Sequence, residues 1–182
     1  MGGDRPRIQK TIFTETIVDT EAYTQNSASK NARLIKTLSE KINTEFWIDK
    51  HYSNREQFGD ENGAREGIEI EFVEELVTKS FKHLKYYSLK HKKFSFVNHP
   101  PPKFNNLRVT LKQVFKDELT LNIIAEYHFI SLNNYEVTVV TAMRKDDFYF
   151  SEGQYCIEFT ENESVLFFKQ ENKVNKLDEY SE

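Results

Sequence analysis

The hydrophobic period of this chain changes from about four residues to two after residue 102, and this change constrains the fold more than any other feature. Three prolines, Pro100–Pro102, mark the boundary. Beyond them, Leu107–Phe115 alternates apolar and polar side chains, as a half-buried strand does. Further strands are predicted over 119–131, 135–143, 154–159 and 165–168. The second part of the chain is therefore expected to form a mostly antiparallel sheet.

Helices are predicted before that boundary. Four apolar residues recur at a spacing of four: Leu34, Leu38, Ile42 and Phe46. They indicate an amphipathic helix, and a second helical tract is predicted over about 47–57. The strongest helical pattern covers about 69–86, with acids in its first turns and lysines near its end, as the helix dipole favours. The predicted fold class is α+β, with two or three N-terminal helices packed on a mostly antiparallel sheet of four or five strands.

A chain of 182 residues is the length of one domain. We expect a single α+β domain over 31–168, preceded by an N-terminal arm or short strand over 1–30 and followed by a frayed tail over 169–182. Aromatic residues make up 14% of the sequence, so rings are expected to supply much of the core.

Several function classes are excluded by missing motifs. The single cysteine, Cys156, excludes a disulfide framework and a zinc site of paired thiolates. The sequence contains no glycine-rich phosphate loop, nucleophile elbow or His-Glu-x-x-His motif, so neither a cofactor nor a metal is expected. No secretory signal is visible, and the apolar runs are too short to cross a bilayer. These features predict a cytoplasmic protein without a membrane partner.

Charge is distributed unevenly along the chain. The net charge is −4, yet the stretch from Lys79 to Lys116 contains no Asp or Glu. Aromatic residues lie among its lysines, which is the combination that single-stranded RNA binding requires. The candidate RNA ligands in this stretch are Lys82, Lys85, Tyr86, Tyr87 and Phe104. A solvated basic face whose rings belong to the core explains the same pattern, and the acidic stretch 56–75 could contact a protein partner.

Acid–base chemistry without a metal is the remaining catalytic possibility, because histidine titrates near neutral pH. His83 borders the apolar stripe of the strongest helix, and His51 precedes Arg55 by one helical turn. Arg108 and Lys112 lie four residues apart and therefore on one face of a predicted strand, where they could bind phosphate. RNA cleavage through the 2′-hydroxyl needs a base, an acid and cations of this kind.

The order of these motifs resembles an endoribonuclease family. His51-Tyr52-Ser53-Asn54-Arg55, then Arg65-Glu66-Gly67-Ile68, then a helix ending at His83, then an antiparallel meander, resembles the RegB-like phage endoribonucleases. More broadly it is similar to the fold group of barnase, EndoU, the colicin tRNases and the RelE-type toxins. The resemblance covers roughly 31–160. It implies that His51 and His83 are the catalytic pair, and that Thr138 and Thr141 support the site from a late strand.

Three functions follow as hypotheses. The first is a metal-independent endoribonuclease of phage or toxin type, producing a 2′,3′-cyclic phosphate, with RNA as substrate and a cognate inhibitor as a possible partner. Its catalytic residues would be His83 and His51, with Arg55, Arg108 and Lys112 on phosphate. The second is a non-catalytic protein-binding module of immunity or antitoxin type that uses the acidic surface. The third is an RNA-binding domain without cleavage.

Overall fold

The computed structural model describes residues 23–39, 43–50, 68–100, 106–114, 119–161 and 163–181. In these ranges it contains one long helix, α1 (Ile70–Lys90), and a mixed sheet of nine strands. The strands are β1 (Ala32–Ser39), β2 (Asn43–Asp49), β3 (Val97–Asn98), β4 (Val109–Gln113), β5 (Leu121–Ser131), β6 (Asn134–Arg144), β7 (Tyr155–Phe159), β8 (Glu163–Gln170) and β9 (Lys173–Ser181).

The sheet is built from antiparallel hairpins joined by parallel pairings. Its spatial order is β1-β2-β6-β5-β4-β7-β8-β9, and the short β3 pairs with β5 beside β4. The hairpins β1–β2, β5–β6 and β8–β9 are antiparallel, whereas β2 pairs with β6, β3 with β5, and β4 with β7 in parallel. The long pair β5–β6 therefore lies near the centre of the sheet.

Helix α1 packs across one face of this sheet. Its buried side chains follow the spacing of three and four residues that places them on one stripe: Val73, Leu76, Val77, Ser80, His83, Leu84 and Tyr87. The last turn contains Lys90, and the His91 amide donates to the Tyr87 carbonyl, which closes the helix. Phe72, on the exposed side, lies under the guanidinium of Arg144 from β6. The helix thus covers the central strands and forms the main core with them.

The central strands have two distinct faces because successive side chains alternate. We call the side covered by α1 the helix face; its side chains include Phe46, Ile48, Leu111, Ile123, Tyr127, Val139, Ile157 and Leu166. We call the opposite side the outer face; its side chains include Arg108, Thr110, Lys112, Glu126, His128, Thr138 and Cys156. Most of the outer-face polar groups are buried. The two faces separate an apolar core from a layer of polar side chains.

The β8–β9 turn has two non-glycine residues in the left-handed region. Glu171 and Asn172 have φ values of 53° and 59°. A two-residue hairpin turn of type I′ requires positive φ at both positions, because its twist matches that of the strands. The Glu152 carboxylate accepts hydrogen bonds from the backbone amides of both residues and holds the turn.

The expected fold class is wrong at the N-terminal side. In place of a helix through Leu34 and Phe46, the chain forms the hairpin β1–β2. A spacing of four is also a multiple of two, so the pattern alone does not distinguish a helix from a strand. In the hairpin the pattern is divided between two strands, and a register shift pairs Leu34 with Trp47 and Lys36 with Phe46. The buried positions of β2 alternate from Thr44 to Ile48, as in a strand. The sheet is consequently larger than the expected four or five strands, and it is mixed rather than mostly antiparallel.

The other predicted elements are partly confirmed. The helix expected over about 69–86 is confirmed and continues to Lys90. The strands expected after residue 102 are confirmed within a few residues of their bounds. The residues after Lys169, expected to be frayed, form the end of β8 and the whole of β9. The strand or arm expected over 8–18 lies outside the described residues.

Within the described ranges, no helix is both long and apolar enough to cross a lipid bilayer.

Candidate functional site

The residues predicted to form one site lie in three separate places. His83 and Tyr87 belong to α1 and are buried between this helix and the helix face of the sheet. Lys112, Thr138 and Thr141 belong to the outer face, because their register partners on neighbouring strands are outer-face residues. Arg108 directly precedes β4 and contacts the outer-face residue Glu126. Lys82, Lys85 and Tyr86 lie on the solvent side of α1 or at its margin. His51, Arg55 and Phe104 lie outside the described residues, so their predicted roles remain predictions.

His83 is a core residue in this fold. It has no exposed surface, and its Nδ1 lies 2.7 Å from the Ser164 hydroxyl of β8. The imidazole packs edge-on against Phe159 and Tyr180, each with ring centroids 5.0 Å away. An imidazole enclosed in this way cannot reach an RNA phosphate. The sheet also separates it from Arg108 and Lys112, so the predicted cleft that joins these three residues does not form.

Tyr87 and Tyr86 have packing roles. The Tyr87 hydroxyl donates to the Ser164 carbonyl at 2.8 Å, and burial raises the pKa of Tyr87 to about 12 despite the hydrogen bond with the Ser164 side chain. The Tyr86 ring packs against Tyr180 at 4.4 Å, and the Lys90 ammonium lies 5.3 Å from the centre of the same ring. Neither tyrosine therefore offers a clear ring face on which a base could stack.

The outer face contains a buried carboxylate with three donors. The Glu126 carboxylate on β5 accepts hydrogen bonds from Arg108 Nε at 2.8 Å and from Asn106 Nδ2 at 2.9 Å. His128 Nε2 lies 3.2 Å from the same carboxylate. The Glu126 side chain is only 2% exposed. Burial alone would raise the pKa of this carboxyl, but the hydrogen bonds from His128, Arg108 and Asn106 outweigh it and lower the pKa. Glu126 is thus held ionised in the polar layer.

Lys112 lies in a cavity at the other end of the outer face. The cavity has a volume of about 320 Å³ and is bounded by strands β4, β7, β8 and β9 together with residues 146–150. Glu158 is the register partner of Lys112 and lines the same cavity. The buried Cys156 thiol is also part of its wall, and burial raises the pKa of this thiol to about 12. A thiol so protonated is not a nucleophile.

Thr138 and Thr141 are part of the same polar layer. Thr138 is fully buried, and its hydroxyl accepts from the Asn26 side-chain amide at 2.5 Å. Beside it, the Ser27 amide donates to Glu136 at 3.0 Å, so residues 26–27 cover this part of the outer face. Thr141 is 8% exposed and pairs with Ile124 on β5. These two threonines lie across the sheet from His83 and do not support it.

A second polar cluster lies at the end of α1. The Asp178 carboxylate of β9 accepts from Lys90 Nζ at 2.8 Å and lies 2.8 Å from His91 Nε2. Partial burial opposes ionisation of Asp178, but the hydrogen bonds from Lys90 and His91 prevail and lower the pKa of this carboxyl. The His91 side chain is 28% exposed, so solvent reaches this pair.

Lysines surround the contact between Asp178 and His91. Lys82, Lys85, Lys90, Lys92 and Lys93 are all exposed. We call these five lysines together with His91 the basic surface. Within the described residues, Lys85, Lys92 and Lys93 make no ion pair, whereas Lys90 pairs with Asp178. A lysine in the last turn compensates the negative end of the helix dipole, but Lys92 and Lys93 lie beyond that turn.

Sequence reasoning missed Glu126, His128 and Asp178. A signal for the first two is present in β5, where polar side chains at Glu126 and His128 alternate with apolar residues in an otherwise apolar strand. No comparable signal marks Asp178, because its partner His91 lies 87 residues away. In the described part of the chain, no group of three or more His, Cys, Asp or Glu residues is placed to hold a metal ion.

Comparisons with family models, curated proteins and solved structures found no match for this chain. A functional proposal therefore depends on the geometry of the described residues.

Proposed function

We propose that this protein binds single-stranded RNA through the basic surface at the end of α1. The observation that supports this proposal is the set of exposed lysines that make no ion pair, Lys85, Lys92 and Lys93, beside the paired Lys90 and His91. They belong to a stretch of 38 residues, Lys79–Lys116, without a carboxylate, in a chain whose net charge is −4. A positive region on an acidic body can attract a polyanion despite the overall sign.

The expected contacts are to phosphates rather than to bases. The Tyr86 ring is already covered by Tyr180 and Lys90, and Tyr87 is buried, so stacking platforms are not offered at this surface. Lysine ammonium groups bind phosphate as point charges without reading a base. We therefore expect binding with little sequence preference and a steep dependence on salt.

The test is a fluorescence anisotropy titration of a labelled single-stranded RNA of about 20 nucleotides at several salt concentrations between about 50 and 200 mM. The variant carries Lys85→Gln, Lys92→Gln and Lys93→Gln. Each phosphate neutralised on a single strand contributes about 0.7 to the slope of log affinity against log salt, so the variant should lose about two units of slope.

The matched control carries Lys30→Gln, Lys145→Gln and Lys173→Gln, which changes the net charge equally at exposed lysines elsewhere in the fold. We expect the control to retain the slope of the unmodified protein. Equal losses in both triple variants would mean that net charge alone governs binding and would contradict an RNA site at the basic surface. Absence of binding by the unmodified protein at low salt would contradict RNA binding altogether.

A second candidate function is cleavage of the bound RNA through its 2′-hydroxyl. It is favoured by one observation, that a partly exposed histidine among lysines is oriented by a carboxylate: His91 Nε2 lies 2.8 Å from Asp178 Oδ2. The free ring nitrogen of His91 would accept the 2′-hydroxyl proton while the 2′-oxygen bonds to phosphorus and the bond from phosphorus to the 5′-oxygen breaks. The neighbouring lysines would stabilise the negative charge on the phosphate oxygens, and a lysine ammonium or a water molecule would donate the proton that the departing 5′-oxygen takes up. The products would be a 2′,3′-cyclic phosphate and a 5′-hydroxyl.

Cleavage is tested by incubating the same RNA with the protein in excess EDTA, beside His91→Ala and His99→Ala variants. His99 is also an exposed histidine, and its ring packs beside Phe129, so it is the matched control. Cyclic-phosphate products that disappear only with His91→Ala would support this role. RNA that is bound yet remains intact would leave binding as the function and remove cleavage.

A further inference from the structure

We infer that Arg108 forms a binding site for an oxyanion, the phosphate monoester or carboxylate group of a small ligand, on the outer face of the sheet. This site is separate from the basic surface, because α1 lies on the helix face and Arg108 contacts Glu126 on the outer face. The inference therefore does not depend on RNA binding.

The first step of the argument is the way Glu126 holds Arg108. Arg108 donates from Nε to Glu126 Oε1 at 2.8 Å, and the carboxylate is 2% exposed. The buried end of the pair is thus fixed, while the arginine side chain remains 46% exposed. Through this contact the carboxylate sets the plane of the guanidinium.

The second step explains why this pair uses a single hydrogen bond. Arginine and carboxylate groups frequently pair through two parallel hydrogen bonds. Here the other oxygen of Glu126, Oε2, is occupied by Asn106 Nδ2 at 2.9 Å and by His128 Nε2 at 3.2 Å. A fork of two bonds to Glu126 is therefore blocked.

The third step concerns the donors that remain. A guanidinium has five N–H groups, and Nε supplies one. Within the described residues, nothing accepts a hydrogen bond from the two terminal nitrogens of Arg108. Four N–H donors, held by a buried carboxylate and partly open to solvent, match the paired oxygens of a phosphate or carboxylate.

The backbone before Arg108 is also fixed. Asn98 on β3 accepts from the Leu107 amide at 2.7 Å and donates to the Leu107 carbonyl at 3.0 Å. The same side-chain amide reaches the Tyr127 carbonyl on β5 at 3.1 Å. Arg108 is therefore anchored through its main chain and through Nε, so little conformational entropy is lost when an anion binds.

The experiment is a titration followed by the guanidinium and backbone NMR signals of the labelled protein. The probes are inorganic phosphate, phenyl phosphate and acetate, with chloride at matched ionic strength as the reference. The variants are Arg108→Lys, which keeps the charge but removes the fork, and Arg144→Lys as the matched control. Arg144 lies over the Phe72 ring on the helix face.

We expect saturable shifts around residues 106–108 and 126–128 with phosphate compounds or acetate, and at least a tenfold loss of affinity in Arg108→Lys. The Arg144→Lys variant should bind like the unmodified protein. Saturation by the phosphate compounds alone would identify the ligand as a phosphate monoester, and saturation by acetate as well would include carboxylates. No saturable shift with any probe, or equal binding by Arg108→Lys, would overturn the inference. Thermal unfolding of each variant confirms that it is folded.

Discussion

His83 Nδ1 lies 2.7 Å from Ser164 Oγ, a contact that joins the middle of α1 to β8 inside the core. The two residues are 81 positions apart in the chain. The Tyr87 hydroxyl lies 2.8 Å from the same serine oxygen, so one buried hydroxyl serves two side chains of the helix. This relationship makes His83 part of the packing that holds α1 on the sheet.

Replacing His83 with alanine should therefore destabilise the fold without affecting RNA binding. The change removes a fully buried ring and leaves Ser164 with one partner fewer, which costs about 2–4 kcal/mol by analogy with other large-to-small core changes. Urea unfolding measures the loss, and His99→Ala, an exposed control, should stay within about 0.5 kcal/mol. An unaltered midpoint for His83→Ala would contradict the packing role.

The Glu126 cluster predicts unequal costs for its two charged partners. Glu126→Ala leaves the buried His128 ring and the Asn106 amide without an acceptor and should cost about 2–3 kcal/mol. Arg108→Ala should cost less, about 1–2 kcal/mol, because Glu126 keeps two donors, Asn106 and His128, and the arginine itself is half exposed. A double-mutant cycle in urea separates the pairwise contribution from the two single losses. Equal costs for the two single variants would contradict the buried-carboxylate account.

The Asp178 contact predicts a dependence of stability on pH. Its pKa is lowered in the folded state, so its stabilising contribution is present above the unfolded value of about 3.9 and is lost as the pH falls further. Asp178→Asn should destabilise the protein by about 1 kcal/mol at pH 7 and by much less near pH 3. Urea unfolding of both proteins at the two pH values provides the measurement. A difference that grows at low pH would reverse the sign of this argument.

The β8–β9 turn predicts a stabilising substitution. Glu171 has a φ of 53°, a conformation that costs a non-glycine residue about 1 kcal/mol. Relief of this strain should raise the free energy of unfolding of Glu171→Gly by about 0.5–1 kcal/mol. The entropy that glycine adds to the unfolded chain offsets part of this gain. Gly153→Ala is the opposing control, since Gly153 has a φ of 75° and an alanine there is strained. Thermal unfolding should move in opposite directions for the two variants.

The Cys156 thiol should be inert in the folded protein. Burial raises its pKa to about 12, so almost none of it is thiolate at pH 8. Ellman's reagent should react slowly with the native protein and completely after denaturation in urea. Rapid labelling of the native protein would show that the cavity beside Lys112 admits the reagent.

Local pattern was sufficient to predict α1 and the strands after residue 102. The buried stripe of α1 recurs at a spacing of three and four residues from Val73 to Tyr87, about four turns, which a strand of period two would not produce. Apolar and polar residues alternate clearly in β4, whereas β5 and β6 were predicted from their apolar and β-branched content, because both contain runs of buried residues. In contrast, the spacing of apolar residues from Leu34 to Phe46 was compatible with a helix and with strands. The strand form depends on the distant pairing of β2 with β6. That pairing is not visible in the local sequence.

The site was harder to predict than the fold because its residues meet across the sheet. The spacing of Arg108 and Lys112 predicted that they share one face of a strand; Lys112 lies in β4, whereas Arg108 directly precedes this strand and contacts Glu126 on the same face. It could not show that His83 approaches the sheet from the opposite face. Likewise, the charge pattern identified the lysines at the end of α1, but not the carboxylate of β9 that pairs with Lys90 and His91.

The parallel pairings determine the order in which this sheet can be completed. Asn43 and Asn134 meet at the β2–β6 border although 91 residues separate them, and Gln113 and Phe159 meet near the β4–β7 border across 46. A hairpin closes a short loop and can form within microseconds. Pairing of β2 with β6, or of β4 with β7, closes a much longer loop and therefore costs more conformational entropy. Their high contact order places refolding of this chain in the range of milliseconds to seconds, and during that interval the edges of the hairpins remain open to other chains.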